Sequence, residues 1–237
     1  MGGTYIYIDA LNFYYGAVRR TSNKWVDLEA LAQHLVPQDQ VTMIRYFTAN
    51  VKQRWPEDRA HERQNVYLRA IKTNPIIEVT HGHFRADYKW RPLADTKFEI
   101  GELFRPTLRP AWLARLMFED AKRRRSSPAT VARVKIPEEK GSDVNLATYL
   151  LHDALTKKSD KAIVISNDAD LAEAVRLTVA SGVPVGIVNP HQGPVNGHLK
   201  RAGSFVMPFR REDLGSLQMP ATVTDSKGRQ IHRPKEW

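Results

Sequence analysis

Residues 162–170 read Ala162-Ile163-Val164-Ile165-Ser166-Asn167-Asp168-Ala169-Asp170, and this stretch decides the fold. Its first half has no polar alternation and is rich in β-branched residues, the pattern of a strand covered on both faces in a parallel sheet. Ala169 to Ala180 then has helical character and is closed by Gly182. Val183–Val188 (VPVGIV) is a second buried strand. Strand, helix and strand in such short order imply a parallel sheet with right-handed crossovers.

The same alternation runs through the N-terminal half. Thr4–Asp9 (TYIYID) predicts a first strand that ends in an acid. Helices are expected over Leu11–Arg20 and Asp27–Val36, a strand over Val41–Phe47, a helix over Pro56–Ile71 and a short strand over Ile76–Thr80. Further on, Ser142 reads as the N-cap of a helix that runs to about Leu155. The expected class is α/β, a doubly wound, mostly parallel sheet with helices on both faces. Residues 84–135 break the regularity and read as an elaborated basic insertion within a domain spanning 1–219. Residues 220–237 read as a C-terminal surface arm with few core positions.

Charge is unevenly spread. The chain has 36 Lys+Arg and 26 Asp+Glu, net +10. Residues 84–135 hold 13 basic and 6 acidic groups, while residues 136–188 hold 5 and 8. An acidic stretch among basic ones suits an enzyme acting on a polyanion, with nucleic acid first and an anionic membrane surface second as the expected partner. Arg59 and Arg63 on one predicted helix, and the run Lys122-Arg123-Arg124-Arg125, are candidate RNA contacts; solvated surface charge is the plain alternative. The absence of Cys excludes disulfides, thiolate metal sites and Cys nucleophiles, and fits a cytoplasmic setting. No apolar run approaches the ~18–20 residues of a membrane span, and the N-terminus lacks a signal-peptide pattern. No G-x-G-x-x-G, P-loop or G-x-S-x-G is present, which argues against a nucleotide cofactor and against a serine hydrolase. The His81–His83 pair shares one face of a strand but has no evident third ligand. The oligomeric state stays open, a homo-oligomer included.

Four acids fall at telling places. Asp9 ends the first strand, and Asp168 and Asp170 follow the strand that ends at Ser166. In an open parallel sheet, ligands bind beyond the carboxyl ends of the strands, so these three are expected to converge. Asp143 opens its helix on the face shared with Ala147, Leu150 and Ala154. A buried carboxylate there needs a cation or metal, although an acid in a first turn is also stabilised by the helix dipole. Asp168 has the alternative role of an N-cap. Converging carboxylates without thiolates favour a hard ion, Mg²⁺ or Mn²⁺, which activates water and stabilises charge on a phosphate oxygen. Asn12 and Lys140 stand where they can hold a water or a phosphate oxygen.

Tyr7-Ile8-Asp9-Ala10-Leu11-Asn12, Lys140-Gly141-Ser142-Asp143-Val144-Asn145-Leu146-Ala147 and Ser166-Asn167-Asp168-Ala169-Asp170-Leu171 together resemble, in order and spacing, the NYN domains, a branch of the PIN-like nucleases. The C-terminal stretch from Leu199 to Trp237 is also similar to bacterial members. Ala10 and Asn167 stand at usual Gly positions and Leu171 at a usual Phe. The resemblance implies a PIN-like sheet, metal binding by Asp9, Asp143, Asp168 and Asp170, and a metal-dependent endoribonuclease acting on single-stranded or loop RNA. A DNA or flap-type nuclease on the same site, and a non-catalytic RNA-binding module, are the alternatives. Asp153 does not align cleanly with the family's last acid and is left out of the set.

Overall fold

The central strand β1 (Gly3–Asp9) is apolar on both faces and buried from Ile6 to Asp9. The structure, a computed structural model, describes residues 2–51, 53, 56–92 and 131–237. β1 pairs in parallel with β2 (Val41–Ala49) on one side and β5 (Ser159–Ile165) on the other. β3 (Ile77–Pro92) pairs in parallel with β2. β6 (Val185–Val188) and β7 (Phe205–Met207) continue in parallel from β5. With β4 (Val131–Lys140), the order is β4-β3-β2-β1-β5-β6-β7. The winding reverses between β1 and β5, so the sheet is doubly wound and has its switch point there.

Side-chain alternation along the strands feeds two cores, one on each face. Ile6, Ile8, Ile163 and Ile165 pack with α2 (Leu28–Leu35) and α3 (Ala60–Ile71) through Leu28, Leu31, Leu68 and Ile71. Tyr7, Phe47, Val164 and Ile187 pack on the other face. Their partners are Leu146 and Leu150 of α4 (Ser142–Leu155), Val175 of α5 (Ala172–Ala180) and Leu199 of α6 (Gly197–Ala202). Here α1 is Ala10–Phe13. The expected class, α/β with a doubly wound, mostly parallel sheet and helices on both faces, is what the chain adopts.

Three local expectations differ. The helix expected over Leu11–Arg20 is the short α1 followed by a π-helical turn, Tyr14–Val18. Ser142 is the first residue of α4 rather than its cap. Gly141 precedes it at φ 95, and the Glu139 carboxylate accepts the Ser142 amide at 3.0 Å. The C-terminal residues are not a surface arm, because they close the first core. β8 (Thr222–Thr224) and β9 (Gln230–His232) form an antiparallel hairpin, and Ile231 is buried. Trp25 Nε1 donates to the Pro220 carbonyl at 2.8 Å, and the Trp237 ring meets Trp25 and Tyr67 at 6.3 and 6.0 Å.

The chain divides into two compact units, residues 1–84 with 139–237, and residues 85–138. Lys122, Arg123, Arg124 and Arg125 lie outside the described residues. Among the described residues, no helix is long and apolar enough to cross a membrane.

One charged group sits deep in the second core. Asp153, on the last turn of α4, is 0% exposed. It accepts Arg45 Nε at 2.6 Å, Arg45 Nη2 at 3.1 Å and the Tyr7 hydroxyl at 3.0 Å. Arg45 also pairs with Glu78 and lies 4.5 Å over the Tyr149 ring. A pair so placed is costly to break, since removing one partner strands a buried charge at a cost of ~3–5 kcal/mol. Urea unfolding of Asp153→Leu is expected to show a loss of that size, and Arg45→Met/Asp153→Leu a smaller loss than the two single changes summed. A single-variant loss under ~1 kcal/mol would show that the pair does not hold α4 to the sheet.

Candidate functional site

Asp9 is 4% exposed and has two structural partners at once. Its Oδ1 accepts the Asn12 amide at 3.0 Å, which caps α1. Its Oδ2 accepts the Ser166 hydroxyl at 2.9 Å, and the Asp168 amide donates to that same hydroxyl at 3.2 Å. The carboxylate thus ties β1 to the end of β5 across the switch point. Burial pushes the Asp9 carboxyl above its ordinary range, against the lowering effect of the hydrogen bonds from Asn12 and Ser166.

Around Asp9 lies a cleft of about 240 Å³ lined by Leu11, Asn12, Tyr15, Glu139, Ser142, Asp143, Asp168 and His191. Asp143 is placed by the start of α4. Gly82 lets β3 approach that start closely, because a Cβ there would meet Glu139 Oε1 at 2.5 Å and the Ser142 amide nitrogen at 2.9 Å. Asp143 is half-buried on the flank of α4, whose inward stripe is Ser142, Leu146, Leu150 and Asp153. Burial first, then the charges of Asp9, Asp168, Glu139 and Asp170, push its carboxyl up to about 7. Asp168 caps the turn Ala169–Leu171 through Oδ1, which accepts the Asp170 amide at 3.0 Å.

The structure therefore brings together Asp9, Asn12, Asp143 and Asp168. Asp170 is exposed and acts on the cleft only through its charge, and Lys140 is exposed and does not line it. Among the described residues, no group of three or more His, Cys, Asp or Glu side chains is disposed to hold a metal ion. Asp9 and Asp168 spend oxygens on caps and cross-links instead. Asn167 does not use a left-handed backbone, since Lys157 is the one non-glycine residue with positive φ among those described. Its side chain accepts the Asn196 amide at 2.6 Å. Arg59 and Arg63 are taken up by carboxylates, Glu62 at 2.8 Å and Glu236 at 3.2 Å.

Sequence reasoning missed Glu139, Tyr15 and His191. Glu139 had one signal, its position three residues before Ser142. His191 sits in a Gly/Pro-rich loop with no periodicity, and its ring meets Asn12, far away in the chain. Asn12 Oδ1 accepts the Asn167 amide at 3.0 Å and stands 3.1 Å from His191 Nε2. An atom that accepts an amide proton is an oxygen, so Nε2 is the donor in this contact.

No protein-family model matches the chain, so the NYN resemblance stands on its motifs alone. The chain is 28% identical, over 99% of its length and 75% of the relative's, to 6-hydroxy-3-succinoylpyridine 3-monooxygenase HspA of Pseudomonas putida (strain DSM 28022 / S16). It is also similar to a solved protein of unknown function from Vibrio parahaemolyticus RIMD 2210633, at 14% identity and TM-score 0.45 over 86% of this chain and 90% of that one. The first likeness overturns the endoribonuclease reading, with its nuclease and RNA-binding alternatives. A relative matching nearly the whole chain is named as an oxidoreductase, not a hydrolase. The Mg²⁺ or Mn²⁺ assignment falls with it. The misreading has a physical source: an acid at a strand's carboxyl end is placed alike whether it caps a helix or meets a ligand.

The raised Asp143 carboxyl has a consequence for stability. The unfolded chain loses this proton near pH 4 and the folded chain near pH 7, so ionisation favours unfolding between them. Stability falls as pH rises through that window and levels off above it. After allowance for the half-exposed setting, the penalty at pH 8 is about 1–2 kcal/mol. Asp143→Asn is expected to raise unfolding stability by that amount at pH 8 and to leave it unchanged at pH 4. Equal stabilities of the two proteins at pH 8 would show that burial and the neighbouring acids do not raise the Asp143 carboxyl.

Proposed function

We propose that this chain is an oxidoreductase of the monooxygenase type, acting on a small, already hydroxylated nitrogen heteroaromatic ring bound in the switch-point cleft. The observation that carries this reading is the 28% identity, over 99% of the chain, to the 6-hydroxy-3-succinoylpyridine 3-monooxygenase. The site supports it in two ways. The cleft, about 240 Å³, is below the ~300–1,000 Å³ of drug-sized pockets and suits a single substituted ring. Asp143, with its carboxyl near 7, is matched to taking a proton from a ring hydroxyl at neutral pH. Loss of that proton makes the ring more electron-rich.

A monooxygenase places one atom of dioxygen in its substrate and reduces the other to water with two electrons and two protons from a donor. Flavin or nicotinamide nucleotides supply such electrons, and both carry phosphate. In doubly wound sheets phosphate sits on a Gly-rich turn at the first helix N-terminus. Here that turn is Asp9-Ala10, the Asp9 carboxylate already takes the Asn12 amide, and Asp9, Glu139, Asp143 and Asp168 line the cleft. These residues do not fit a phosphate group, so no step is assigned to such a cofactor in this cleft.

The test is oxygen incorporation. With 6-hydroxy-3-succinoylpyridine, ¹⁸O₂, and NADH with added flavin as the electron source, mass spectrometry is expected to show one ¹⁸O atom in the product. Asp143→Asn should lower turnover at pH 7 by roughly 100-fold, the low end for loss of a general base. Absence of substrate-dependent oxygen uptake across hydroxypyridines would sink the reading.

A further inference from the structure

Tyr15 is 57% exposed, yet it lines the cleft beside Asp143 and His191. Its position comes from the π-helical turn Tyr14–Val18, an arrangement rare in helices and frequent at functional sites. The turn is held on several sides. Arg211 Nη2 donates to the Gly16 carbonyl. The Arg19 guanidinium lies 5.1 Å from the Tyr15 ring centre, and Tyr14 meets that ring edge-on at 5.5 Å. Gly16 allows the loop after β6 to close onto the turn, because a Cβ there would stand 2.9 Å from both His191 Cδ2 and the Pro190 carbonyl carbon. His191 is fixed in turn. Its amide donates to Asn189 Oδ1 at 2.8 Å, Asn189 Nδ2 donates to the Gly193 and Pro194 carbonyls at 3.1 and 2.9 Å, and its Nε2 donates to Asn12. An exposed aromatic ring held in one place has lost its freedom before any ligand arrives, which favours binding.

We propose that Tyr15 is the stacking platform of the cleft, and that the ligand class is a flat heteroaromatic ring bearing an N–H, a pyridone or a protonated pyridine. The face of the ring lies on Tyr15. Its N–H edge turns toward the carboxylates lining the cleft, which accept hydrogen bonds. Gly16 and Arg211 act as positioning residues for this platform and for His191. The ligand class rests on the oxidoreductase reading, but the platform stands on the geometry of the turn.

The test is binding without oxygen or reductant. The probes are 2-pyridone and 2-piperidone, which share the N–H and carbonyl edge and differ in the aromatic face. By calorimetry or saturation-transfer NMR, 2-pyridone is expected to bind and 2-piperidone to bind at least several-fold more weakly. Tyr15→Leu should weaken 2-pyridone roughly 2- to 10-fold, and Tyr15→Phe should keep it. Gly16→Ala should also weaken it, with an unchanged circular dichroism spectrum marking an intact fold. If Tyr15→Leu leaves 2-pyridone binding unaltered, or if the two probes bind equally, the platform is refuted. If binding follows Tyr15 while no hydroxypyridine consumes oxygen, the platform stands and the monooxygenase reading falls. Hydroxylation that is indifferent to Tyr15→Leu refutes the platform alone.

Discussion

A single buried carboxylate, Asp9, braces the crevice that opens where the β1–β5 ladder ends. The halves of the sheet wind away from each other at β1 and β5, and nothing in the backbone ladder beyond their last paired residues holds the crevice between them at a set width. Asp9 does so with two hydrogen bonds, one to the first turn of α1 and one to Ser166 beyond β5. Burial opposes its charge, and the two donors offset that cost. Because the Asp168 amide donates to the same Ser166 hydroxyl, the turn after β5 is held to the same anchor. Asn12, one turn beyond Asp9, repeats the device by accepting from Asn167 and His191. The crevice is thus braced by polar side chains from β1 and α1 before any ligand is considered.

The opposite wall depends on α4, which is pinned at both ends. Near its start, Glu139 takes the first helical amide and Gly82 permits the close approach of β3. Near its end, Asp153 is clamped by Arg45 and Tyr7 on the two strands beneath. A helix fixed in this way has little freedom to slide or rotate. Asp143 is thereby held in the same cleft as Asp9 and Asp168, where burial and then their charges push its carboxyl up.

What the sequence made legible follows the same physics. β5 and β6 read clearly because both faces are buried, so their apolar runs have no competing interpretation. The meeting of Asp9 and Asp168 was legible too, since strand ends in a parallel sheet converge by topology; Asp170, expected with them, stays outside the cleft, and Asp143 was read from its helix face and the family resemblance. The role of those acids was not legible: capping and ligand binding use the same residue at the same place, and only the hydrogen-bond partners separate them. The π-helical turn was hidden because Leu11–Arg20 has the same apolar spacing under either hydrogen-bond pattern. Glu139 and His191 owe their places to close approaches allowed by Gly82 and Gly16, contacts that lie far apart in the chain.

The chemistry of the cleft runs against the charge of the whole protein. The chain carries a net charge of +10, yet the switch-point crevice is lined by four carboxylates. The screening length at physiological salt is ~8 Å, so a ligand inside the crevice responds to the local acids more than to the distant basic groups. The proposed ligand, a flat ring with a donor edge, would turn that edge toward the acids and lay its face on Tyr15. The net charge that first pointed to nucleic acid is a property of the whole chain, whereas the hydrogen-bonded, acidic switch point sets the local chemistry of the candidate site.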